Sequence, residues 1–222
     1  MTTMAATSRT SPAADPAGSA GSFAESLHPQ LSLRERKKVK TRIAIRRATY
    51  GLIAEQGYEA TTVEQIAEAA EVSPSTVFRY FPSKEDIVLT DEFDPVLLRE
   101  MRSRPAGEPP LRSLRYVVTE AMRLSLLDDR EEVVQRTRLM AEVPALRARM
   151  MESMTSTSRQ LCEVLAERSG RGEVDLAVRV FAMAVLGALH ETTVYWAERG
   201  HEDDVLILIG QTLDTLEAGL PL

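Results

Sequence analysis

The chain has 222 residues and a formal charge of −6, with 44% hydrophobic and 27% charged residues, the composition of a globular protein with enough chain for a substantial core. Its single cysteine, Cys162, excludes an intramolecular disulfide framework or a multi-cysteine metal site and suits a reducing, cytoplasmic setting. The longest apolar run, Val180 to Leu189, is about half of the roughly 20 residues that a membrane span needs, so no membrane is expected.

Residues 1–33 are rich in Ala, Ser, Thr, Pro and Gly and lack the charged start and apolar block of a signal peptide; they are expected to form a disordered tail. A basic run follows. "RERKKVKTRIAIRR", from Arg34 to Arg47, holds eight basic residues against one acidic. The formal balance is about +1 through Thr90 and about −7 beyond it, so one end can meet a polyanion while the other repels it. The run is expected to follow a phosphate backbone or dip into a minor groove.

Helical periodicity starts in "TRIAIRRATYGLIAEQG", where Ile45, Ala48, Leu52 and Ile53 form an apolar stripe and Gly57 is the expected stop. "TTVEQIAEAAE" opens with an expected capping box between Thr61 and Glu64. In "VSPSTVFRYF", Ser73 is the expected N-cap and Pro74 the first helical residue. Ser83 then caps a further helix, with Asp86 three residues on, and Asp94-Pro95 starts another. "RPAGEPP", from Arg104 to Pro110, reads as a loop. Helices are expected beyond it at Leu111–Leu127, Arg130–Glu142, Pro144–Arg168, Glu173–Arg199 and Glu202–Ala218. The fold class is all-α, with a DNA-binding unit over 34–90 and a larger helical body over 91–222.

Two short helices joined by a tight turn, the second led by small polar residues, describe a helix-turn-helix. Val77 and Phe81 lie four apart and pack inward, while Ser75, Thr76 and Arg79 take another face with Phe78 at its edge. Hydroxyls, a guanidinium and an aromatic edge at that face are groups that read base edges in a major groove. Phe78 also has a core reading, and Tyr80 a choice between packing and phosphate contact. Tyr80 and Lys84 stand where a phosphate strand would pass, and the helix starts at Thr61–Thr62 and Ser83 offer backbone N–H groups to it.

The segment "TRIAIRRATYGLIAEQGYEATTVEQIAEAAEVSPSTVFRYFPSKEDI" resembles the DNA-binding domain of the tetracycline-repressor (TetR) family over Arg42 to Val88, with "TTV", "IA", "VS", "T-x-F-R-Y-F" and "SKE" in register. The resemblance implies a homodimer with two helix-turn-helix units in successive major grooves of a palindromic operator. It also implies a helical C-terminal domain that binds a small molecule. By the same resemblance, the threonine that opens the second helix (Thr61 or Thr62), Tyr80 and Lys84 meet the phosphate backbone, and Ser75, Thr76 and Phe78 face bases; Arg42, Ser73 and Arg79 complete the candidate DNA-binding set. One departure stands out: Glu71 occupies the turn position where the family usually has Gly. A left-handed backbone there costs a residue with a side chain roughly 1 kcal/mol.

In the body, "FDPVLLREMRSRPAGEPP", "AEVPALRARM" and "YWAERG" resemble the mycofactocin-regulator subgroup of the family, which responds to long-chain acyl-CoA. This implies a small hydrophobic, acyl-CoA-like effector. Met122, Leu126, Met140, Met151, Met154, Met183 and His190 are the candidate lining residues, with core filling as the other reading for the methionines. The last two helices carry Phe181, Ala184, Gly187 and Ala188, then Leu206, Ile209 and Leu213. The resemblance makes these a dimer interface; their apolarity alone also fits the core of a monomer.

No H-E-x-x-H, Walker loop, G-x-G-x-x-G or G-x-S-x-G occurs, and the three histidines lie far apart. No enzyme and no cofactor are expected. The function expected is a DNA-binding repressor released by ligand. A ligand-independent architectural protein, or an activator on the same fold, is the alternative.

Overall fold

The structure, a computed structural model, describes residues 32–90, 94–172 and 174–221. The expected tail lies outside them except for its last two residues, Ser32 and Leu33, which are the cap and the first residue of the first helix. Ser32 caps α1 (Leu33–Gln56) in a reciprocal box with Glu35. The basic run is therefore helical from its first residue, rather than an arm that precedes the helix.

Four helices form the N-terminal unit: α1, α2 (Val63–Ala69), α3 (Pro74–Tyr80) and α4 (Lys84–Leu89). Their shared core is Ile45, Ile66, Ala67, Val77, Phe81 and Ile87. The starts of α3 and α4 follow local sequence: Ser73 Oγ accepts from the Thr76 N–H, and Ser83 Oγ from the Asp86 N–H. The start of α2 differs from expectation by one residue. Its capping box joins Thr62 to Gln65, because Thr61 turns inward, is buried, and donates from Oγ1 to the Gly57 carbonyl at 2.8 Å.

The turn between α2 and α3 is left-handed at Glu71, with φ 54°. It completes a Schellman closure, in which Val72 N–H donates to Ala67 O at 2.9 Å and Glu71 N–H to Glu68 O at 3.0 Å. The ends of two later helices close in the same way on Gly200 and Gly219. Only in the helix-turn-helix does a side chain occupy the left-handed position where those two have glycine.

The body comprises α5 (Asp94–Ser103), α6 (Pro110–Glu142), α7 (Pro144–Ser169), α8 (Leu176–Glu198) and α9 (Val205–Glu217). Among the described residues all regular structure is α-helical. The two helices expected over 111–142 are both present, joined without a loop across a kink within α6. Asp129 leaves helical geometry (φ −151°, ψ 89°) and its Oδ1 accepts from the Glu132 N–H at 2.9 Å, capping the second half.

The body core centres on Leu161, Val164, Leu165, Ala182, Trp196 and Leu213. Arg168 fastens the loop between α5 and α6, its Nη1 donating to the carbonyls of Met101 and Arg104 at 3.1 and 2.8 Å. His201 ties the α8–α9 turn to α6: its Nε2 is 2.7 Å from Thr137 Oγ1, and its ring meets Trp196 edge-on at 4.5 Å.

A third apolar cluster joins the two units. It comprises Tyr50, Ile53 and Tyr58, Val88 and Leu89 of α4, Leu139 and Met140 of α6, and Leu146 of α7. Polar contacts run along the same seam. Arg149 bridges to Asp86 at 2.9 Å and also pairs with Glu152; Arg46 bridges to Glu132 at 2.5 Å. Gln135 Nε2 donates to Tyr50 O at 2.9 Å, and Arg136 Nη2 to Leu89 O at 3.0 Å.

Several expected roles in the body are corrected by burial. Ile209 and Leu213 are sealed inside their own protomer, so neither is a free interface side chain, while Phe181 is partly buried against the same core. Met151, 58% exposed, and Met183, 41% exposed, lie on the surface rather than around a cavity. Met140 belongs to the seam between the units. Met122 and Leu126 pack at the edge of the body core, and Met154 is buried. His190 is half-buried, and its buried Nδ1 has no hydrogen-bond partner among the described residues.

The helix α8 is long and apolar enough to cross a membrane by length and composition, with a mean hydropathy of 1.3. Much of that apolarity lies on its outer side. Val180, Met183 and Tyr195 of α8 and Ile207 of α9 are exposed, beside Ala184.

Candidate nucleic-acid interface

The helix α3 presents its polar face because Val77 and Phe81 are buried on the other side. Phe78 is 51% exposed, which settles its core reading against it. Ser75 and Arg79 are exposed, and Thr76 is partly so. Three hydroxyls at the start of the helix are linked: Ser73 Oγ lies 2.9 Å from both Ser75 Oγ and Thr76 Oγ1. These groups stand ready to exchange one another for base or phosphate partners. The Arg79 guanidinium sits over the Tyr80 ring, 5.3 Å from its centroid, and that of Arg42 over Phe81 at 5.2 Å. Tyr80 is half-buried, its ring against the N-terminal core, so packing and a polar role coexist in one side chain.

Two expected phosphate contacts differ in the structure. Thr61 is buried with its hydroxyl spent on Gly57 O, which removes it from the surface; the exposed threonine at this helix start is Thr62. The Lys84 ammonium donates to the carbonyls of Tyr58 at 2.7 Å and Thr61 at 3.0 Å, and lies 4.0 Å from the Tyr58 ring centroid. Lys84 thus fastens α4 to the loop before α2. Sequence reasoning missed this because the partners are backbone carbonyls more than twenty residues away. Tyr58 completes the knot, its hydroxyl donating to Glu85 Oε1 at 2.6 Å. Burial, and then that carboxylate, push the Tyr58 pKa above its ordinary value.

A helix-turn-helix with an exposed polar recognition face, fastened to an all-helical body, is the geometry on which the comparisons with known proteins bear. The description "Bacterial regulatory proteins, tetR family" matches residues 45–90, and "MftR C-terminal domain" matches residues 108–221. The chain belongs to the TetR family. The matched family is one of bacterial regulatory proteins. The chain is 37% identical over 145 residues to the HTH-type transcriptional regulator TcmR of Streptomyces glaucescens, covering 62% of this chain and 64% of that protein. It is 33% identical over 99 residues to the HTH-type transcriptional repressor KstR of Mycobacterium tuberculosis, covering 43% of each. The chain thus spans less than two thirds of the length of either of these curated relatives. Among solved structures, FadR from Bacillus subtilis in complex with stearoyl-CoA aligns with a TM-score of 0.52 at 25% identity, over 78% of this chain and 96% of that one.

Proposed function

We propose that this TetR-family regulator is a homodimeric repressor that leaves a palindromic operator when a hydrophobic, acyl-CoA-like effector binds its body. In this reading Ser75, Thr76, Phe78 and Arg79 read bases, while Arg42, Thr62, Ser73 and Tyr80 meet phosphates. The observation that carries the reading is the apolar seam through Tyr50, Val88, Leu139 and Leu146, braced by the Arg149–Asp86 pair. A packed seam transmits a shift of α6 or α7 to α4, and so to the recognition helix, instead of absorbing it.

An effector reaching the edge of the body core would meet Met122 and Leu126, with the unpartnered Nδ1 of His190 as a candidate polar anchor and the buried Met154 as a further candidate lining residue. The stearoyl-CoA complex of FadR and the repressor name of KstR support the class of effector and the sign of regulation. The exposed stripe of Val180, Met183, Ala184, Tyr195 and Ile207 supplies the second copy's docking face.

The test is to select bound sequences from a random duplex library and titrate the complex with stearoyl-CoA. A two-fold symmetric site with half-sites about 34 Å apart is expected, released by the thioester. Each 1.4 kcal/mol of coupling weakens binding about tenfold. An asymmetric site overturns the dimer, and unchanged affinity under saturating stearoyl-CoA overturns the effector class. Thr76→Ala shifts preference among site variants; if preference is unmoved, Thr76 is not a base reader.

A further inference from the structure

A groove of about 840 Å³ runs between the start of α1 and the end of α3. Arg34, Lys37, Lys38 and Arg42 line one wall, and Arg79 and Tyr80 the other. Among the described residues no carboxylate lines it. This arrangement exists because the basic run is helical. Positions 34, 37, 38 and 42 share one helix face, and Ser32 with Glu35 holds the first turn in place. Arg34, Lys37 and Lys38 are exposed, and their cationic groups make no ion pair among the described residues. The far rim is held by Arg79 stacked over Tyr80. Cations recurring every helical turn, about 5.4 Å, suit a linear polyanion better than a single anion. They are concentrated beside the base-reading face of a chain whose formal charge is −6.

We propose that this groove holds the sugar-phosphate backbone of the duplex strand flanking the bases read by α3, with Arg34, Lys37 and Lys38 as phosphate-binding residues. The inference rests on the DNA-binding reading above and extends the contact surface from the recognition helix to the first turns of α1. It replaces the flexible arm suggested by the basic run with a rigid wall, whose cations are ordered before binding and lose less freedom on contact.

The test uses the full chain and a fluorescent random-sequence duplex, with binding followed by anisotropy across about 50–200 mM salt. One variant is Arg34→Gln/Lys37→Gln/Lys38→Gln. Its control is Arg36→Gln/Lys40→Gln/Arg47→Gln, which removes the same charge from α1 outside the groove lining. Gln keeps helix propensity, so both are expected to fold. The groove variant should lower the slope of log affinity against log salt by about 2.7 per protomer, and weaken binding on the order of 10²-fold near 0.1 M salt. The control should lose far less. Equal losses in the two variants, or an unchanged slope in the first, overturn the groove. If the wild type ignores duplex DNA at low salt, the DNA-binding reading fails first, an outcome distinct from either.

Discussion

Replacing Glu71 by Gly should stabilise this protein. Glu71 holds φ at 54° in the Schellman turn of the helix-turn-helix, while the matching turns after α8 and α9 use Gly200 and Gly219. Its side chain is exposed, with no hydrogen bond or ion pair among the described residues to offset the backbone cost. A left-handed conformation costs a residue with a Cβ about 1–2 kcal/mol. Gly returns roughly 0.4–1 kcal/mol of this by loosening the unfolded chain. The net gain is about 0.5–1 kcal/mol. For a protein of this size that raises Tm by about 1–4 °C. Urea denaturation and calorimetry measure it directly, with Glu71→Ala as the comparison. Ala keeps the strain, so it should stay within about 0.5 kcal/mol of wild type. Duplex affinity should not change with Gly, because the folded turn is the same. A destabilised Gly variant, or an Ala variant that gains as much as Gly, refutes the strain argument.

Other outcomes separate core from surface and local from long-range contacts. Leu213→Ala, at a side chain with no exposure, should cost about 2–5 kcal/mol in chemical denaturation. Ile207→Lys, on the exposed side of the same helix six residues earlier, should leave the fold intact and convert the proposed dimer to monomer in sedimentation. Lys84→Met removes two charge-assisted bonds to buried-loop carbonyls and should cost about 1.5–3 kcal/mol in urea titration, so a loss of DNA binding in it is not evidence of a phosphate contact. His201 has its pKa depressed below 6.5 by burial and then by Arg138 and Arg130. The folded chain therefore favours neutral imidazole. The unfolded chain binds the extra proton first as pH falls. This contribution should be complete above pH 6.5 and decline below it, levelling once pH passes the folded value. His201→Asn, which tolerates the left-handed φ of 60°, should flatten that part of a stability profile measured between about pH 5 and 8.

Local rules carried the elements of this protein. Ser73-Pro74 and Ser83 start their helices because the cap side-chain oxygen satisfies the N–H three residues on. Val77 and Phe81 pack inward because four residues make one turn. The order of capped helix, turn and polar helix was therefore legible from the chain alone, and with it the TetR resemblance. What depended on tertiary structure was which way an ambiguous side chain faced. The helices α8 and α9 are apolar around most of their circumference, so hydropathy has no phase there, and only packing put Ile209 and Leu213 inside and Ile207 and Val180 outside. Lys84 turned from the expected DNA surface to backbone carbonyls that folding brought within hydrogen-bond reach, while Thr61 turned inward to the Gly57 carbonyl four residues back. The basic run became one wall of a groove only when α3 supplied the other. Local sequence sets the short-range energies that start and stop helices, while facing is settled by whichever distant groups the fold makes available.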